Sequence, residues 1–219
     1  MWDISLSVRA PRKLRVLAKI ALPARTMTPI PVPDSKTSYT RVAIGLHWLI
    51  AAAIIGSFAV GLYMVDLPLS PQKLRIYSWH KWAGVTIFLC VVLRLGWRLG
   101  HRPPELPAAM PAWQRSLAGA THVLLYLLMF AVPLSGWLMS SAKGFQTVWF
   151  GVLPLPDLLD KDKELGDLLL QLHMLLNFSM ASLVFIHVGA ALKHHFFDRD
   201  GVLARMIPFL GQSQRGEFR

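Results

Sequence analysis

Leu168–Leu192 reads LLLQLHMLLNFSMASLVFIHVGAAL. It contains no charged residue, and about 20 such residues suffice to carry an α-helix across the roughly 30 Å of hydrocarbon in a bilayer. Two histidines interrupt it, His173 and His187, 14 residues apart. At about 1.5 Å per residue they stand about 21 Å apart along the axis, and 14 steps of about 100° leave them only about 40° apart around it. They share one face at two depths. Ionisable groups inside a membrane are costly and as a rule face the bundle interior in a functional role.

Three further stretches satisfy the same length requirement: Val42–Val65, Ile76–Leu99 and Leu117–Met139. They are separated by LPLSP (67–71) and HRPPELPAAMP (101–111), with GVLPLPD (151–157) following the third. Proline's fixed φ and missing donor make such strings breaks. The chain has 219 residues, 54% of them hydrophobic and only 16% charged, with a formal net charge of +11. An ordinary soluble domain has about 25% charged residues, and a nucleic-acid binder reaches a high charge through dense Lys and Arg, so no nucleic-acid partner is expected. Lys and Arg instead collect on the cytoplasmic side of spanning segments. Seventeen of them flank one side of the four spans and six the other, while the acids divide six and six. The whole excess therefore falls on one face. The predicted fold is all-α, an integral membrane four-helix bundle with both termini in the cytoplasm.

Residues 1–38 read as a basic N-terminal arm, either an amphipathic surface segment or the product of a mis-assigned start, with Met27 as the alternative; it does not read as a signal peptide. Residues 39–208 form the four-helix domain, and 209–219 a cytoplasmic tail. A single cysteine, Cys90, excludes a disulfide framework, and without CxxC or CxxCH there is no Cys-rich zinc site or covalently attached haem.

Orientation fixes depth. The first helix runs outward, so His47 lies near the cytoplasmic end; the second runs inward, so His80 lies near the outer end. His173 matches His80 at the outer level and His187 matches His47 at the inner level. One histidine pair near each surface is what two bis-histidine b-type haems require, because each iron takes two axial ligands along one line. His122, in the third helix, also falls at the inner level, and spacing alone does not choose between it and His187. Imidazole equally suits zinc, copper or iron in a transporter. Against transport, Asp66 and Asp167 lie at span ends and no carboxylate falls inside an apolar run. Gly45, Gly56, Gly84, Gly119, Gly136 and Gly189 thin the helices near the histidine levels.

The HW pair at His47–Trp48, WHKWAG at 79–84 followed by VVLRLGWRL, HVLLYLLMFAVPLSGWLM in the third helix, and QLHMLLNFSMASLVFIHVGAALKHHFFDRDGVLARMIP resemble the bacterial cytochrome b561 family in register over about residues 38–208. The resemblance implies two haem b groups as cofactors, the outer held by His80 and His173 and the inner by His47 and His187, which resolves the choice against His122. It further implies electron transfer in the bacterial inner membrane: a superoxide oxidase that takes electrons from periplasmic superoxide and passes them to ubiquinone at the cytoplasmic side. Arg75 and Lys81 flank His80 and would steer a small anion. Arg94, Arg98, His122 and His194 are candidates to hold a quinone headgroup or the haem propionates, since Arg pairs well with carboxylates. The alternative is a haem-b anchor subunit that links a docked periplasmic redox partner to the quinone pool. Expected partners are membrane lipid, quinone and a small-molecule donor, with oligomerisation left open.

Overall fold

The structure, a computed structural model, describes residues 38–107, 110–207 and 209–210. The expected N-terminal arm up to residue 37, with the Met27 start, and the tail beyond residue 210 lie outside the described residues. Four long helices dominate: α1 (Arg41–Val65), α2 (Pro71–Gly100), α3 (Ala112–Ala142) and α4 (Lys163–Lys193). Each is long and apolar enough to cross a membrane.

All but the first overrun the predicted spans by several residues. The apolar windows end where the hydrocarbon ends, whereas the hydrogen-bond ladder runs on to a residue that can cap it. Thr40 Oγ1 accepts from Ala43 N at the start of α1, Ser70 Oγ from Lys73 N at α2, and Asp162 Oδ1 from Leu165 N at α4. Pro71 is thus the opening residue of a helix, where its missing N–H costs nothing. Pro133 lies inside α3, as neighbouring helices in a membrane bundle allow.

The helices pack in sequence order, α3 against α4 most extensively. The ring closes through α1 and α4, where Phe58 and Phe178 meet edge to face at 5.8 Å. The fully buried core is small: Ile50, Ile87 and Val91, with Tyr126, Met129 and Phe130 packed around them. Large apolar side chains such as Phe185, Leu175 and Ile55 point outward, the pattern of a bundle whose solvent is lipid.

Between α3 and α4 the chain forms a short antiparallel hairpin, β1 (Val148–Trp149) on β2 (Leu153–Pro154), pairing Val148 with Pro154 and Trp149 with Leu153. Phe150 and Gly151 both take positive φ, 51° and 72°. Positive φ at both positions turns the chain sharply, and Val152 N donates to Trp149 O at 3.1 Å across the three-residue loop. The sequence showed only a proline-rich break here. After Lys193, α4 widens into one π-helical turn (His194–Asp198) that ends at Arg199 in left-handed conformation, and Leu203–Arg205 form a 3₁₀ turn.

Candidate cofactor site

Facing imidazoles occur at the two predicted levels. At the outer level His80 of α2 and His173 of α4 face each other with ring centroids 6.4 Å apart and planes at 89°. At the inner level His47 of α1 and His187 of α4 do so at 6.4 Å and 74°. A metal bonded to both rings would require about this distance. Metal–imidazole bonds are about 2.0–2.1 Å, and a five-membered ring with sides of about 1.33 Å puts each nitrogen about 1.13 Å from its centroid. The sum across two rings is about 6.3–6.5 Å, so both pairs leave a gap that an iron held by two imidazoles would fill. His122 also reaches this level, but its ring lies 5.5 Å from that of His187, too close for an in-line metal. The ring separations thus differ, 6.4 Å for His47–His187 against 5.5 Å for His122–His187.

Second partners orient the outer rings. His173 Nδ1 lies 3.1 Å from Val132 O and 2.9 Å from Ser135 Oγ, while Ser135 Oγ donates to Val132 O at 2.8 Å. A carbonyl only accepts, so Nδ1 must carry the proton, and Nε2 is left with its lone pair free for a metal. His80 Nδ1 is 3.3 Å from Ser57 Oγ. Beside the two rings a cavity of about 320 Å³ is lined by Ile54, Phe58, Met129, Asn177, Met180 and Phe185. Of the six glycines singled out in the sequence, only Gly136 meets a histidine: a Cβ there would stand 3.1 Å from His173 Cε1. Gly61, not singled out, performs the same service for His80 at 3.4 Å.

Lys81 does not point free into the periplasm. Its Nζ donates to Ser140 Oγ (3.0 Å), Phe145 O (2.9 Å) and Gln146 O (3.3 Å), fastening the loop after α3 to α2. Arg75 is exposed. At the inner level Arg94 donates to Ala43 O (2.9 Å) and Tyr126 Oη (3.1 Å), and Arg98 stands over the Tyr126 ring at 5.9 Å. His194 Nδ1 lies 2.6 Å from Asp200 Oδ2 and 3.0 Å from Asp198 Oδ2, with Lys193 on the same Asp198 at 2.6 Å. Ser57, Ser135 and Gly61 escaped the sequence reading. A serine on the α3 face opposite His173 is the signal that would have revealed Ser135, but that face is defined only once the helices are paired.

Residues 38–209 match the family model described as prokaryotic cytochrome b561. Cytochrome b561 homolog 2 of Escherichia coli (strain K12) is 37% identical over 171 residues, which cover 77% of this chain and 90% of that protein. Cytochrome b561 homolog 1 of the same organism is 27% identical over 173 residues, 78% and 97% of the respective chains. A protein of Yersinia pestis named probable superoxide oxidase CybB is 29% identical over 171 residues, covering 78% and 96%.

Proposed function

Because the chain belongs to the prokaryotic cytochrome b561 family, we propose that this membrane electron-transfer protein holds two b haems, outer on His80 and His173 and inner on His47 and His187, and oxidises superoxide at the expense of ubiquinone. It is a multi-pass protein of the bacterial inner membrane, and the family implies haem b. The observation that supports the two-haem reading most is the pair of 6.4 Å imidazole gaps at two depths. When bound, haem supplies reversible one-electron iron chemistry.

The chain's own residues do the rest. The Val132–Ser135–His173 triangle fixes one tautomer and aims Nε2 inward from α4. Apolar lining from Phe58, Met129 and Phe185 keeps water from the outer site. Arg75, exposed near the outer end of α2, draws a small anion toward that face and raises its encounter rate. Arg75 thus takes the larger part of the steering assigned to it and Lys81, whose ammonium is committed to the loop. At the cytoplasmic level Arg94, Arg98 and His122 cluster beside the inner pair, where a propionate or a quinone carbonyl would accept their hydrogen bonds. His194, with Nδ1 held by Asp200, has its other nitrogen available to hand a proton to a reduced quinone. Two superoxide anions give two O₂ and two electrons, which with two cytoplasmic protons convert one ubiquinone to ubiquinol. The superoxide assignment draws on the name of the Yersinia pestis relative.

A reduced-minus-oxidised spectrum with haem quantification tests the reading. Two haems per chain are expected in the wild type and one each in His80→Ala and His47→Ala; a single haem in the wild type, or two in His80→Ala, overturns the ligation. For the donor, a superoxide source should drive quinone reduction in proteoliposomes. Reduction supported only by a co-purifying periplasmic protein would replace superoxide with a docked donor.

A further inference from the structure

We propose that the hairpin between α3 and α4 is a re-entrant membrane element, seated in the outer half of the hydrocarbon layer with lipid acyl chains as its partner.

The argument is one of depth. Along α4 the outer and inner histidine levels are about 21 Å apart. Charges flank them almost symmetrically: Asp167 and Lys193 lie six residues beyond His173 and His187, Arg41 six before His47, and Arg75 five before His80. A hydrocarbon slab of about 30 Å centred between the levels extends about 4.5 Å past each. Trp82, two residues inward of His80, donates from Nε1 to Val148 O at 2.6 Å. Side chains on a helix lean toward its N-terminus, which for α2 is the outer side, so Val148 lies near the level of His80 itself. Trp149 reaches further, its Nε1 bonding Thr86 Oγ1 at 3.3 Å. Thr86 is six residues inward of His80, about 9 Å, and so stands within about 2 Å of the midplane.

Non-helical backbone at such depth survives only if its polar groups are satisfied without water. Here they are. Beyond the ladder, Gly151 N bonds Val148 O (3.1 Å) and Leu155 N bonds Thr147 O (2.9 Å). Lys81 covers the carbonyls of Phe145 and Gln146, Gln146 Nε2 that of Leu155 (3.2 Å), and Trp137 Nε1 that of Pro156 (3.1 Å). No charged residue occurs from Phe145 to Pro156. What the hairpin turns outward is apolar: Phe150 is 57% exposed, Leu153 51% and Val152 84%. This surface continues the lipid-facing side of α2 to which Trp82 and Thr86 tie it, so hydrocarbon is what covers it.

The test uses the haem-loaded full chain in lipid nanodiscs. Since Cys90 is the sole cysteine, Cys90→Ala gives a background in which Val152→Cys or Asp160→Cys takes a nitroxide label, with unchanged haem content as the check on folding. Asp160, an exposed acid beyond the hairpin, is the aqueous reference. Oxygen, which partitions into lipid, should relax the label at 152 more than a water-soluble nickel chelate does, and the order should reverse at 160. Equal nickel access at both positions would overturn the proposal. So would exclusion of both reagents at 152 with dipolar broadening that vanishes on dilution with unlabelled protein, because a second copy would then be the partner.

Discussion

Gly136→Ala should loosen the outer haem and leave the inner one alone. The added Cβ would stand 3.1 Å from His173 Cε1, 3.4 Å from Nδ1 and 3.7 Å from Nε2. Carbon contacts settle at about 3.5–4.0 Å, so the ring must withdraw by about 0.4 Å. It is not free to do so, because Nδ1 is bonded to Val132 O and Ser135 Oγ on the helix that carries the new methyl. Ligand distances at a metal site are held to about ±0.2 Å. A displacement of twice that, together with strained second partners, corresponds to about 10- to 100-fold weaker retention. Gly61→Ala is the matched control: its Cβ would meet His80 Cε1 at 3.4 Å, close to ordinary contact, and haem retention should stay within about twofold. Haem transfer to an excess of apomyoglobin, followed by difference spectroscopy, reads both sites in one sample. Wild-type retention in Gly136→Ala, or equal losses in the two variants, would refute the reasoning.

Two further outcomes follow from the same geometry. Ser135→Ala removes one of two acceptors from His173 Nδ1; a hydrogen-bonded imidazole is the more basic ligand and favours ferric iron. Loss of about 1 kcal/mol should therefore raise the midpoint of one haem by about 40 mV in a potentiometric titration, with both haems retained. His122→Leu should keep two haems per chain by pyridine haemochrome quantification, because 5.5 Å to the His187 ring leaves no room for an in-line metal; loss of one haem would make His122 a ligand.

The two histidine levels were legible in the sequence because they depend on only two regularities, helical rise and the cytoplasmic bias of Lys and Arg. His173 and His187 sit on one helix, and 14 residues between them give their separation without knowledge of any neighbour. The choice between His47 and His122 was not legible by spacing: both lie at one depth, and they differ only laterally, by about 1 Å in their ring separation from His187. Ser57, Ser135 and Gly61 were hidden for the same reason, since each matters only through what the neighbouring helix presents to it. The hairpin at Val148–Pro154 was read as a break because the side chains that hold it, Trp82 and Thr86, lie more than sixty residues earlier. The task of Lys81 was hidden likewise, as its three partners belong to α3 and the loop that follows.

The small core has an electrical meaning. Ile50, Ile87 and Val91 lie between the two histidine levels and carry no charge, so the interval that separates the two pairs is apolar at its most buried point. An electron that moves from outer to inner pair crosses about 21 Å of a layer about 30 Å thick, roughly 0.7 of the membrane potential. At about 2.3 kcal/mol per charge per 100 mV, each transfer inward stores about 1.6 kcal/mol in an inside-negative potential of 100 mV. On the proposed inward route turnover is electrogenic, and its rate should slow as the membrane becomes polarised and recover when a potassium ionophore collapses the field.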